Sequence, residues 1–163
     1  MVSKFSPGVF IQGLLVYGKQ GLELYNRNLD PDIWKEAFLY SLEHQVPLAA
    51  LSQDRIVTLF DHPLIDALHT VYFEPKEEVM PSVEYLLSSV NIQKLLFVDT
   101  AENVRNILRP HWSLATVGCA RMVQALPEMM EILPSGASKE DGLRKLLDHL
   151  GANIDEVMAI GDG

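Results

Sequence analysis

Residues 138–163, "SKEDGLRKLLDHLGANIDEVMAIGDG", constrain the fold of this chain more than any other stretch. Ser138 is a good helix N-cap with Asp141 three residues on, close to a capping box. Leu143, Leu146, Leu147 and Leu150 then recur as one apolar stripe, and Gly151 follows as a stop signal. The spacing predicts a helix over 139–150. After it, Val157 to Ile160 is apolar throughout, as a strand covered on both faces tends to be. A capped helix feeding a buried strand is an α/β arrangement. In open α/β sheets the loop at the carboxyl end of such a strand is where ligands bind, and that loop here is Gly161-Asp162-Gly163.

The rest of the chain repeats the alternation without internal repeats, low complexity or a Pro/Gly/Ser linker. "GVFIQGLLVYGKQGLELYNRNL" has two β-rich runs around Gly18-Lys19-Gln20-Gly21, a hairpin signal. Asp30-Pro31 opens a helix, Asp as cap and Pro in the first turn, with Trp34, Phe38 and Leu42 at four-residue spacing. "PLAALSQ" and "RIVTLF" read as short strands, and "HPLIDALHTVY" and "PSVEYLLSS" as short helices. "QKLLFVD" is a strand and "TAENVRNIL" a helix stopped by Pro110. "RMVQAL" and "EMMEILP" are two more strands. The predicted class is α/β.

Composition narrows the function. At 163 residues and 48% apolar, the chain is long enough to bury a core. Thirteen basic against twenty-two acidic residues give a net charge of −9, and the basic residues are scattered. Phosphate-mediated binding of nucleic acid is disfavoured. Cys119 is the only cysteine, which excludes an intramolecular disulfide and a Cys/His zinc framework. The histidines at 44, 62, 69, 111 and 149 show no two-ligand spacing on one helix face, so zinc is not expected. No apolar run approaches the ~18 residues that span a bilayer, and "MVSKFSPGVF" lacks a secretory or transit composition. A soluble intracellular protein in a reducing compartment is the simplest expectation.

The segment Glu128 to Gly163 resembles the return segment of the haloacid dehalogenase (HAD) superfamily, in its Cof-type sugar-phosphate phosphatase branch. There a strand like "EILP" is followed by Gly-x-Ser-Lys, a helix, a second strand and Gly-Asp-Gly-x-Asn-Asp. "VFIQGLLVYGKQGLELYNRNLD" resembles the same branch's entry into its mobile cap, with Gln12-Gly13 where the family usually carries Asn-Gly. The wording of "LYSLEHQVPLAALSQDRIVTLFDHPL" is nearest to a plant version, which occurs behind a YbeY-type endoribonuclease in a plastid protein. The resemblance implies a HAD-like α/β fold, mostly the α/β cap plus part of the Rossmannoid core. The expected divisions are an entry strand and hairpin at 1–29, a cap at 30–127 and a partial core at 128–163.

The same resemblance implies Mg²⁺-dependent hydrolysis of a small phosphorylated substrate through an aspartyl-phosphate. Lys139 matches the family lysine that neutralises charge on the nucleophile and the transferring phosphoryl group. Asp162 matches the first acidic residue of the last motif and would bind Mg²⁺. Neither the Asp-x-Asp-Gly-Thr nucleophile motif nor the phosphate-holding Ser/Thr motif is found, so the chain is expected to be a slice of a longer phosphatase, inactive alone. Without the resemblance, Lys139 reads as a solvated lysine and Asp162 as an ordinary turn residue. Asp99 follows an apolar strand as a HAD nucleophile does, but Ala101 stands where a second Asp is needed. Asp99 or Thr100 is read instead as a helix N-cap. Glu140 departs from the family, which commonly has Gly there, and adds negative charge beside the presumed phosphate site. The alternative is a non-catalytic interaction or regulatory module that keeps the cap fold.

Overall fold

The computed structural model describes residues 6–158, which form two compact units: residues 6–27 with 137–158, and residues 28–136.

The first unit is a three-stranded antiparallel sheet with one long helix. Its strands are β1 (Gly8–Phe10), β2 (Leu15–Tyr17) and β3 (Glu23–Asn26), in the order β1-β2-β3. The hairpin expected around Gly18–Gly21 joins β2 to β3. The first β-rich run is broken in two, because Ile11, Gln12 and Gly13 all have left-handed φ values of 48°, 54° and 90°. The Leu14 N–H closes this turn on the Ile11 carbonyl at 3.0 Å.

The second unit is built on a six-stranded sheet. Helix α1 (Pro31–His44) leads into β4 (Leu48–Ser52) and β5 (Arg55–Thr58), followed by α2 (Pro63–Thr70), β6 (Glu77–Val79), α3 (Val83–Ser89) and β7 (Lys94–Val98). A helical stretch made of α4 (Ala101–Asn103), a widened turn (Val104–Leu108) and α5 (Arg109–Ala115) precedes the hairpin of β8 (Ala120–Leu126) and β9 (Met129–Pro134). The strand order is β6-β5-β4-β7-β9-β8, with only β5 and β6 parallel.

Period-two alternation divides the apolar side chains between the faces of this sheet. Leu48 and Ala50 of β4, Leu95 and Phe97 of β7, and Met130 and Ile132 of β9 pack with Trp34, Phe38, Leu86, Leu108 and Trp112 in the larger core. The intervening Ala49, Leu96, Val98 and Met129 pack with Ile65 and Leu68 of α2 in a second, smaller one. Glu131 falls on that second face and would be costly there unpaired. Lys94 meets it at 2.7 Å, both side chains largely buried.

Three local expectations are corrected. Leu42 is exposed, and the buried face of α1 runs through Ile33, Trp34, Ala37, Phe38 and Ser41, since eight residues drift about 80° around a 3.6-residue helix. Pro110 does not end its helix. The turn over Val104–Leu108 widens to π geometry, with the Arg109 N–H reaching back five residues to the Val104 carbonyl, and the helix runs on to Ala115. "EMMEILP" pairs through β9 with both β7 and β8, so it belongs to the six-stranded sheet and the unit boundary falls at 136/137. The short strand β6, sequence Glu-Glu-Val, carries no periodic signal and is not visible in the sequence.

Phe97 is fully buried, with Trp112 at 5.3 Å and Tyr40 edge-on at 6.2 Å between ring centroids. Phe97→Ala is expected to cost about 3–5 kcal/mol. Both tryptophans, Trp34 and Trp112, lie in this unit, so urea unfolding followed by their fluorescence measures that loss directly. An unchanged midpoint would contradict this account of the core.

Candidate active site

The candidate site is the first turn of α6 (Lys139–Leu150) in the smaller unit. The helix forms as its sequence dictates. Ser138 caps it, Oγ accepting the Asp141 N–H at 3.3 Å, and Gly151 ends it with φ 70°. Leu146 and Leu147 are buried and Leu143 and Leu150 half-buried, while Lys139, Glu140 and Asp141 are exposed.

The position of the helix is set by glycines. A Cβ on Gly13 would lie 2.0 Å from the Ser138 carbonyl oxygen and 3.1 Å from the Lys139 nitrogen. A Cβ on Gly142 would meet Gly13 Cα at 2.9 Å and Val9 Cγ1 at 2.7 Å. The left-handed turn therefore touches the helix start backbone to backbone, a closeness only glycine allows. Farther along α6, His149 Nε2 accepts the Lys19 N–H at 3.3 Å and the Lys145 ammonium sits 4.9 Å from the centre of the Tyr25 ring.

Lys139 is thus held at the backbone while its ammonium stays in solvent. Glu140 turns along the outside of the helix to Arg144, 2.7 Å away, and that pair is exposed. Its hydrogen bond to the carboxylate, with the attraction of the opposite charge, holds the Arg144 guanidinium above its usual value. The negative charge that Glu140 brings is therefore partly offset by its own neighbour. Asp162 lies outside the described residues, as do Ala159 and Ile160 of the expected last strand. Val157 and Met158 are not in a strand, and Ile154–Glu156 is a short 3-10 turn.

Asp99 stands at the end of β7, and its Oδ1 accepts the Thr100 N–H at 2.6 Å and the Asn103 side-chain amide at 3.1 Å. Thr100 is the N-cap, accepting the Asn103 N–H at 3.2 Å. Asp99 thus holds the start of the following helix through Oδ1, as a turn residue does. Among the described residues no three His, Cys, Asp or Glu side chains come together as a metal site. Among the described residues, two open clefts lie in the larger unit. One of about 500 Å³ is lined by Ala101, Arg105, Arg109, Gln124, Leu126 and Pro127. The other, about 460 Å³, surrounds Tyr40, whose ring lies 4.3 Å from that of His44 and 4.7 Å from that of His111. Burial, with the Asp99 carboxylate adding to it, pushes the Tyr40 phenol above its usual value.

Residues 3–163 match the haloacid dehalogenase-like hydrolase family. The chain belongs to that family. An Arabidopsis thaliana protein named as the chloroplastic endoribonuclease YBEY is 57% identical over all 163 residues, which make up 28% of that protein. A HAD/COF-like hydrolase of Plasmodium vivax superposes with a TM-score of 0.80 at 22% identity, covering 96% of this chain and 55% of that one. A Thermotoga maritima structure gives 0.78 at 23% identity, covering 89% and 54%. These structural likenesses show the fold, and this HAD-like chain spans about half the length of each solved relative. Its α/β architecture is that of the superfamily. Among its described residues no helix is long and apolar enough to cross a membrane.

In this HAD-like chain the sequence specifies the helix that Lys139 begins and nominates Lys139 by its motif, but gives Gly13 and Gly142 no role. The Gln-Gly pair is the available signal for a tight turn. A left-handed β-branched Ile11 has no signal of that kind. Ser138→Ala should lower stability by about 1 kcal/mol and unpin the first turn of α6. Amide exchange reads this out: the Asp141 N–H should exchange markedly faster than in the parent chain while amides of Leu146 and Leu147 keep their protection. Unaltered Asp141 exchange would show that the cap does not hold the turn.

Proposed function

We propose that this chain is the lysine-bearing part of a Mg²⁺-dependent HAD phosphatase acting on a small phosphorylated metabolite. The observation that carries the reading is Lys139 on the first turn of a Ser138-capped helix whose start rests on the Gly13 backbone. A fixed ammonium there is suited to neutralise charge that builds on a phosphoryl group and its nucleophile. Such preorganised charge is among the largest single contributions to catalysis. The helix N-terminus adds partial positive charge of the same sense.

On this reading residues 28–136 are the cap, and residues 1–27 with 137–163 contribute to the core. Lys139 serves as both the catalytic and the phosphate-binding residue. Asp162 is the proposed magnesium ligand by its place in the motif, and no described residue is assigned to the ion. The nucleophile is not among these 163 residues, because no Asp-x-Asp-Gly-Thr occurs in them. Without it no aspartyl-phosphate forms. Association with a plastid endoribonuclease rests on the Arabidopsis relative. A non-catalytic interaction module is the second reading, favoured by the missing nucleophile motif and by Glu140 at a position where the family commonly has Gly.

The chain alone is expected to release no phosphate above background from p-nitrophenyl phosphate with Mg²⁺. Turnover that survives repurification and disappears in Asp99→Ala would overturn the proposal. In the longest natural chain that carries these residues together with an Asp-x-Asp motif, Lys139→Ala should cost about 100-fold or more in kcat, with circular dichroism unchanged. Asp162→Asn should raise the Mg²⁺ concentration needed for half-maximal rate. Full activity of Lys139→Ala would favour the interaction module.

A further inference from the structure

The geometry points to Gly13 as a positioning residue for Lys139, acting through the Ser138 carbonyl. The inference rests on the reading of Lys139 as the phosphate-facing lysine. It goes beyond that reading in naming what fixes the lysine in place.

A Cβ at Gly13 would stand 2.0 Å from Ser138 O, and such contacts do not occur in proteins below 3.0 Å. Any side chain there must push the Ser138 carbonyl away by at least about 1 Å. That carbonyl accepts the Gly142 N–H at 3.2 Å, the first hydrogen bond of α6. Moving it moves the peptide that begins Lys139. Backing the whole helix off would open the close contacts that Gly142 makes with Gly13 and with Val9. Nor does the turn yield easily: Ile11 and Gln12 are already left-handed, a conformation that costs roughly 1–2 kcal/mol for a residue with a Cβ. Three consecutive left-handed residues are kept where surrounding structure over-determines them, as strained turns at functional sites are. A misplacement of about 1 Å at a reacting group can cost 100-fold in rate.

A merely structural glycine and a positioning glycine are separable by a control at the end of the same helix. Gly151 also has positive φ, 70°, yet a Cβ there meets nothing within 4 Å. Gly151→Ala carries the left-handed strain without displacing Ser138.

The experiment is a double-mutant cycle in the longest natural chain that shows phosphatase activity, with kcat, KM and thermal midpoint recorded for each variant. Gly13→Ala is expected to lower kcat by about 10- to 100-fold while changing KM by less than about threefold, and to have no further effect when Lys139 is already Ala. Gly151→Ala is expected to keep kcat within about twofold even where its thermal midpoint falls. Should Gly13→Ala fail to fold, Gly142→Ala presses on the same contact from the helix side, where alanine is the better helix former. It should also lower kcat and be silent in the Lys139→Ala background. The inference is overturned if Gly13→Ala, or Gly142→Ala in its place, keeps kcat within twofold while Lys139→Ala is crippled, or if the two losses multiply. If Lys139→Ala itself is fully active, the reading of the lysine falls and the positioning role falls with it.

Discussion

Everything proposed for the smaller unit depends on one contact, the backbone-to-backbone approach of the Gly13 turn to the first turn of α6. It is made possible by two glycines that face each other, Gly13 and Gly142. With no Cβ on either side, the start of the helix settles directly on the sheet, and the Ser138 cap and buried leucines hold it there. The consequence is a lysine whose root is fixed and whose ammonium stays in solvent. A compact, strongly hydrated charge on a flexible stem is what a transferring phosphoryl group can use, provided the stem starts in the right place.

The larger unit is governed by a different constraint, a six-stranded sheet that buries both faces. Alternate residues of β4, β7 and β9 serve two separate cores, so a one-residue slip in register would exchange them. The Lys94–Glu131 pair lies on the smaller face and marks its register by charge, since a slip would bury one partner alone. This unit carries the two clefts lined by Arg105 and by Tyr40, and Asp99, just after β7, accepts hydrogen bonds from the start of the helix that follows.

Much of this is legible from sequence because the signals are local. Ser138, the leucine stripe and Gly151 specify α6 to the residue, and Asp30-Pro31 does the same for the start of α1. The HAD-like fold and family follow from the wording of 128–163. What stays hidden depends on tertiary or non-local terms. Pro110 reads as a stop, yet a widened turn five residues long absorbs it. β6 is too short and too polar to have a period, and exists because β5 offers it an edge. Resemblance groups "EMMEILP" with the segment that follows it, whereas its hydrogen bonds tie it to β7 and β8. For the proposed site, the motif nominates Lys139, while the seat beneath it carries no sequence signal of its own: the close approach of Gly13 is to an atom 125 residues away, the carbonyl of Ser138.

The claim at the centre is that the Lys139 ammonium faces the phosphoryl group. Reductive ¹³C-methylation of the lysines in the longest natural protein containing these residues, followed by titration with orthovanadate as a phosphoryl mimic, reads it directly. The account predicts that the Lys139 methyl resonance moves with vanadate at the concentration that inhibits turnover, while those of Lys19 and Lys145 in the same unit stay in place. Inhibition by vanadate with an unmoved Lys139 resonance would contradict it.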